Sequence, residues 1–347
     1  MSKHIPGLFE PRRIGQMAPA TKVALYTILL IWALFVLFPI YWLVITSVKT
    51  PATVNQGPFF LPFVDFQPSL HAWKELFIID YQDTLRAYKN SIIISLSATA
   101  LSVLVGSMAA YALSRVAFAP NLITILYFVL LLVGVGVAIG VYGADWRLAI
   151  AIAVALFFLL ARAVGRLYPA YLSNGDILFW IISQRILAPI VVVVPIYMMF
   201  QTVRMLDTHL AIILTYAVVN LPIVVWLMYD FFNSIPRDLE ESAQIDGATM
   251  IGTFREIVLP LSRAGLAATT LLVMILSWNE YLLALFLSTS KAQTMPILVA
   301  AMNAGERGVL WWTMSVTIIV MIIPVVILAV LLQKYITKGL LVGAVKG

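Results

Sequence analysis

The chain has 347 residues, of which 62% are hydrophobic and only 11% charged. A water-soluble domain carries roughly a quarter charged residues, so this composition excludes an ordinary soluble fold and points to a chain that crosses a membrane repeatedly. The net charge is +6; the absence of cysteine excludes disulfide and thiolate chemistry, and the three histidines, far apart in the chain, show no metal-ligand spacing. No basic run or RNA-binding signature supports a nucleic-acid partner.

A membrane-spanning helix needs about 20 mostly apolar residues. The first such stretch covers 22–47, after a polar, basic segment over 1–21. It is too long for a signal-peptide core and no small-residue cleavage site follows, so it reads as a retained span. Residues 48–89 form a polar connection, where Pro51, Pro58, Pro62 and Pro68 argue against one continuous helix. Asp65, Glu75, Asp80 and Asp83 balance its basic residues.

Further spans are expected over 90–113, 121–142, 147–165, 178–203, 209–231, 264–287 and 309–332. The predicted fold class is therefore all-α and polytopic, with about eight transmembrane helices. An even number places both termini on one side of the membrane. Basic residues such as Lys22, Arg115, Arg162, Arg166, Arg237, Arg255 and Lys334 bias that side toward the cytoplasm. This puts 48–89 outside, and 232–263 and the tail 333–347 inside. Pro39, Pro189, Pro195, Pro222 and Pro324 interrupt spans, where neighbouring helices re-satisfy the freed carbonyls. Trp311 and Trp312 begin a span and fit the aromatic belt of a membrane interface.

The most informative stretch runs from Ser234 to Pro260. Pro236 suits the first turn of a helix, and Asp238, Glu240 and Glu241 follow where the helix dipole favours negative charge. Leu239, Ala243, Met250 and Phe254 recur at helical spacing and predict one apolar stripe. Gly247 permits a sharp bend between two short helices. An amphipathic helix lying in lipid headgroups fits poorly with three carboxylates at its start; a helix docked in a partner's groove fits better.

The spacing of Glu241-Ser242-Ala243, Gly247, Ile257, Leu259 and Pro260 resembles the cytoplasmic-loop signature of binding-protein-dependent ABC permeases, with Ser242 standing where that signature has alanine. Phe38-Pro39 to Lys49, Asn90-Ser91, Ala109 to Arg115, Ser277-Trp278-Asn279-Glu280-Tyr281 and Lys338 to Gly347 are similar to the smaller permease subunit of the maltose-type carbohydrate branch. That branch has six spans, so residues 119–177 are an apparent inserted hairpin of two more; its Gly136–Gly140 pair has the spacing of a helix-packing face, and a peripheral or lipid-facing hairpin is the simpler reading.

The resemblance implies an ABC importer type I permease fold and a transport subunit rather than an enzyme. Its partners would be a second permease, a dimer of cytosolic ABC ATPase subunits, a periplasmic or lipid-anchored sugar-binding protein and the lipid bilayer. The setting would be the bacterial cytoplasmic membrane, with ATP and Mg held by the ATPase and no cofactor in this chain. It also implies that Leu239, Glu240, Glu241, Ser242, Ala243, Asp246, Gly247, Ala248, Ile257, Leu259 and Pro260 couple to the ATPase. Trp278, Asn279, Glu280 and Tyr281 are candidates for the pathway, because an intramembrane carboxylate is functional by default, although a structural pairing of Glu280 accounts for it equally well.

Other readings are weaker. Gly247 to Gly252 has P-loop glycine spacing, but Thr253 stands where the phosphate-binding lysine belongs. A secondary transporter is expected to show internal repeats, and an intramembrane enzyme a nucleophile–base or metal constellation. An importer for an amino acid, peptide or phosphate satisfies the loop signature alone.

Overall fold

The computed structural model describes residues 17–167, 170–303 and 309–344. Most of the amino-terminal segment and the last three residues of the tail lie outside them. The secondary structure is helical throughout: α1 (Pro19–Ser47), α2 (Pro51–Gln56), α3 (His71–Lys74), α4 (Tyr81–Arg115), α5 (Leu122–Gly140), α6 (Trp146–Leu167), α7 (Asn174–Ser183), α8 (Pro189–Thr202), α9 (His209–Asn233), α10 (Asp238–Ile245), α11 (Met250–Thr253), α12 (Leu259–Leu261), α13 (Arg263–Trp278), α14 (Leu282–Leu287), α15 (Met295–Ala301) and α16 (Trp311–Ala344). Among the described residues, six helices are long and apolar enough to cross a membrane, or eight spans result if each of two bent pairs counts as one. Helices suit this setting because every backbone group is satisfied within the segment.

Several boundaries differ from those expected. α4 begins at Tyr81, so the last turns of the expected 48–89 loop are helical. The span expected over 178–203 is broken: α7 and a short 3₁₀ turn end at Ile186, and α8 restarts at Pro189 after a 90° change of direction. Leu187 and Ala188 are extended there, the conformation favoured before proline. The span expected over 264–287 stops at Trp278 and resumes at Leu282. α16 runs on as helix through the expected tail to Ala344.

The described residues fall into two compact units. One is drawn from Met1–Asn90 and Gln293–Val326. In it Ala72, Leu76 and Val316 form a small buried cluster. Glu75 accepts hydrogen bonds from Trp312 Nε1 (3.0 Å) and Thr313 Oγ1 (2.8 Å). Trp312, expected as an interface aromatic, thus ties α16 to the connection after α3, while Trp311 remains 48% exposed.

The second unit is drawn from Ser91–Ala292 and Ile327–Gly347. Its core gathers Ala110, Tyr111, Leu113, Val224, Val225, Met228, Phe232, Ile235, Val258 and Val273 from α4, α9, the segment after α11 and α13. Helices in lipid gain little from hydrophobic burial against one another, so close approach through small residues matters more. Gly106 supplies it: a Cβ there would stand 2.6 Å from Val224 Cγ1 and 2.8 Å from Val224 Cβ. Val224 is fully buried and stiff at χ1. Gly106→Ala is therefore expected to force α4 and α9 apart at a cost of about 1–3 kcal/mol. The check is the unfolding midpoint of the purified chain in detergent, against an Ala substitution at open Gly134.

α5 and α6 form a hairpin whose stem closes on itself. Leu122 N donates to Ala170 O (2.7 Å) and Leu172 N to Pro120 O (3.0 Å). Asn174 seals the stem to the end of α4, donating from Nδ2 to Leu113 O and Val116 O (2.7 Å each) and accepting from Phe118 N (2.8 Å). Asn121 caps α5 through the amides of Ile123 and Thr124, and Ser173 and Asp176 form a reciprocal capping box that starts α7. The stem thus returns the chain to the end of α4, where it left. No residue in the apolar window of either helix is buried.

Candidate functional site: the bent element after α9 and the break after α13

The element between α9 and α13 is built around one buried ion pair. Glu240 is 4% exposed, although sequence alone places it with Asp238 and Glu241 in an acidic patch. Its carboxylate accepts from Arg115 Nε at 2.7 Å and from the Tyr111 hydroxyl at 2.8 Å. Tyr111 and Arg115 are four residues apart and so share one face at the end of α4. Arg115 also donates from Nη2 to Phe232 O at 2.9 Å, a carbonyl in the last turn of α9, and to Ile235 O at 3.4 Å. Arg237 Nη2 donates to Ser114 O at 3.1 Å. One guanidinium thus joins the ends of α4, α9 and α10.

Gly247 ends α10 at φ +91°, a conformation that side chains avoid. Ala248 N donates to Ala243 O (2.9 Å) and Gly247 N to Gln244 O (3.1 Å). This is the Schellman pattern of helix termination. Thr249 then caps α11, accepting from Gly252 N at 3.1 Å. After α11 the chain runs through a π turn, Phe254–Val258, into α12 and bends by 82° into α13.

The expected apolar stripe divides. Phe254 turns inward, its ring 4.7 Å from Tyr111 and 5.9 Å from Phe232. Leu239 and Met250 are exposed, and so are Ile245 (86%), Ile251 (77%) and Leu261 (57%). Asp238, Glu241, Ser242, Asp246 and Gly247 are exposed or partly so, as are Ala243 and Ala248. Ile257, Leu259 and Pro260 are partly covered in the segment leading into α13. A cleft of about 470 Å³ opens between the two parts, lined by Tyr111, Arg115, Arg237, Glu240, Glu241, Gln244 and Met250 among others. The element is therefore bolted to the bundle on one side and carries apolar residues without internal partners on the other.

The second set of sequence candidates lies where α13 breaks, not within a continuous span. Trp278 is 1% exposed. Asn279 donates to Ile275 O at 2.8 Å, closing the helix end. Glu280 Oε1 accepts from Leu283 N at 3.1 Å, so the carboxylate caps the start of α14. The Glu280 carbonyl accepts from the Tyr216 hydroxyl at 3.0 Å. Tyr281 is 39% exposed. Two polar residues that sequence reasoning did not single out stand close by. Buried Asn220 donates to Ser277 Oγ at 3.0 Å and accepts from Arg185 Nη2 at 3.4 Å. Asn220 and Arg185 are polar groups inside apolar stretches, which was the signal available in the sequence.

Asp207 clasps two connections at the other end of this unit. Its carboxylate accepts from the amides of Thr289, Ser290, Lys291 and Ala292 at 3.0–3.3 Å, and its own N–H donates to Leu287 O at 2.8 Å. Burial pushes this carboxyl up; the amide donors outweigh burial and hold it well below the usual carboxylate range. A depressed folded pKa gives stability that is full above the unfolded value of about 3.9 and fades only as pH falls through the folded one. The clasp is thus expected to hold unchanged from pH 8 to pH 5. Asp207→Ala is expected to speed amide exchange at 289–292 at every pH in that window, read by hydrogen-exchange mass spectrometry. Unchanged exchange would show that the carboxylate does not hold these connections.

Among the described residues, no group of three or more His, Asp or Glu side chains is placed to hold a metal ion. Residues 91–342 match the family described as "Binding-protein-dependent transport system inner membrane component". The chain is 30% identical over 312 residues to the sulfoquinovosyl glycerol transport system permease protein of Agrobacterium fabrum, covering 90% of this chain and 89% of that one. It is 29% identical over 321 residues to the trehalose/maltose transport system permease protein of Thermococcus litoralis, covering 92% and 94%. Among solved structures it is similar to a chain of a bacterial ABC transporter involved in the import of the acidic polysaccharide alginate. The TM-score is 0.59 and the identity 20%, over 92% of this chain and 97% of that one, a likeness of fold. With the family match over most of the chain and a bundle of membrane helices, this protein belongs to the inner membrane permease components of binding-protein-dependent ABC transport systems.

Proposed function

We propose that this permease forms half of the translocation pathway of an ATP-driven importer for a sugar, oligosaccharide or polyol, as the smaller permease of a maltose-type system. Its partners are a second permease, a dimer of cytosolic ATPase subunits that binds ATP and Mg, and a periplasmic or lipid-anchored sugar-binding protein. It sits in the bacterial cytoplasmic membrane with both termini and the 232–263 element on the cytoplasmic side. The observation that carries this reading is the Glu240 anchor. An element fixed by a buried ion pair to the ends of two long helices, with Ile245 and Ile251 bare on its outer side, is suited to receive a push from a partner and pass it on. Phe254, wedged between Tyr111 and Phe232, gives the same push a second route into the bundle.

Leu239, Glu241, Ser242, Ala243, Asp246, Gly247 and Ala248 face or shape the docking side in this reading, and Glu240 acts from inside it. Ile257, Leu259 and Pro260 hand the motion to α13. ATP must favour one arrangement of the complex over another for any motion to follow. The names of the relatives support a carbohydrate substrate.

The test is affinity purification of the tagged chain from its native membrane in mild detergent, followed by uptake of labelled saccharides by the recovered complex in vesicles. Recovery of a second permease and an ATPase, with ATP-dependent uptake of a saccharide, is the expected result. Recovery of the chain alone with transport intact, or uptake confined to amino acids or phosphate, would overturn the reading.

A further inference from the structure

The loop after α2 points to a membrane contact outside the pathway and the coupling element. Residues 57–66 fold back along the end of α1. The Tyr41 hydroxyl donates to Phe60 O at 2.5 Å, and the Phe60 ring stands 5.4 Å from that of Trp42. Lys49, 2% exposed, donates to Phe59 O at 2.7 Å and lies 4.4 Å from the centre of the Trp42 ring. Asp65 accepts from the amides of Phe60 and Leu61 at 2.8 Å each, and Phe63 N donates to Phe66 O at 2.8 Å.

This frame holds an apolar tip outward. Phe63 is 75% exposed, Val64 78% and Leu61 54%. Phe63 has φ +66°, a left-handed conformation in which a bulky side chain is strained. A water-facing turn of this shape takes glycine or asparagine at no such cost. Strain held in place by surrounding bonds marks a position where the side chain itself is wanted.

The depth of the tip identifies what it meets. α1 has 29 residues, which at about 1.5 Å each span about 43 Å, the thickness of a bilayer with its headgroups. Tyr41 lies six residues before Ser47, the end of that helix, and so about 9 Å below its end. The headgroup layer occupies roughly 5–8 Å on each side. With α1 upright and Ser47 at the membrane surface, Phe60 stands where headgroups meet hydrocarbon, and Phe38, Ile40 and Val44 on the same stretch of α1 are about half exposed, as lipid-facing residues are. We infer that the Leu61–Val64 tip is a wedge inserted into the lipid leaflet at this end of α1, anchoring the loop to the bilayer surface rather than to another protein. The inference rests on α1 being a membrane span and is independent of what the permease transports.

The chain has no cysteine, so single cysteines can be placed directly in the full-length protein. Val64→Cys, Phe35→Cys and Gln56→Cys, each purified with its accompanying subunits and reconstituted in phosphatidylcholine–phosphatidylglycerol vesicles, receive a nitroxide label. Collision rates with oxygen and with a water-soluble nickel chelate are then measured. Position 35, 72% exposed in the middle of α1, sets the hydrocarbon value. Position 56, exposed at the end of α2, sets the aqueous one. The label at 64 is expected to favour oxygen as position 35 does, with nickel collisions several-fold below those at 56; Leu61→Cys is expected to behave likewise. Free access of nickel at 64 would overturn the wedge. Shielding from both reagents would overturn it too, and would assign the tip to a protein partner.

Discussion

Replacing Glu240 with leucine is expected to abolish uptake while the chain still inserts and accumulates in the membrane. Side chains of Glu240 and Arg115 are only 5% and 10% exposed. Removing one partner leaves a buried charge uncompensated, at about 3–5 kcal/mol. That is enough to release α10 from α4 and α9, yet the spans owe little to this pair, so insertion survives. Arg115 would keep its bonds to Phe232 O and Ile235 O, which tie it to α9 but not to α10. Glu240→Gln retains an acceptor for Tyr111 and Arg115 and should lose less. The doubly substituted Arg115→Met/Glu240→Met chain should recover part of the loss, because no charge is then left alone; a double-mutant cycle on uptake rate and on detergent stability measures the coupling. Strictly additive effects would show that the pair does not act as a unit.

Gly247→Asp is expected to separate insertion from transport. Gly247 sits at φ +91°, and a Cβ added there would have nothing within 4 Å, so the substitution meets no steric wall. The cost is conformational, about 1–3 kcal/mol for holding a side chain in that region. Such a cost shifts the bent arrangement against its alternatives by roughly 5- to 150-fold. A carboxylate beside Asp246 also places like charge on the docking side. The expected outcome is uptake reduced to background, normal membrane abundance and weaker retention of the ATPase in mild detergent. Gly247→Ala carries the backbone cost without the charge and should fall between. Normal uptake by the Asp variant would contradict a role for the bend.

The all-helical class and the run of six to eight spans were legible because a membrane makes composition decisive. Continuous apolar runs such as 22–47 and 121–142 must be helical where no water satisfies the backbone. The bend at Gly247 was legible too, since glycine between two helical patterns has a mechanical reason. What hydropathy hides is interruption. At the 90° break before Pro189 the traces are that proline and the polar Gln184-Arg185 pair, and neither decides it: Pro195, Pro222 and Pro324 sit inside unbroken helices. The gap at Asn279–Tyr281 depends on the Glu280 carboxylate capping α14, which spacing does not reveal.

Burial within the acidic cluster was illegible for a different reason. Asp238, Glu240 and Glu241 are chemically alike and close together; Tyr111 and Arg115, far upstream in sequence, decide which of them turns inward. The same holds for Arg185, Asn220 and Ser277, whose contacts come from three separate elements.

The most direct test of the coupling role is a photo-crosslinking residue at Ile245, the most exposed apolar position of α10, in the full chain in its native membrane. Irradiation is expected to yield an adduct of this chain with a nucleotide-hydrolysing cytosolic subunit, with a yield that changes when ATP is supplied. Adducts with lipid alone, or none at all while the complex stays intact, would mean that the bent element faces something other than the motor and that the coupling assignment is wrong.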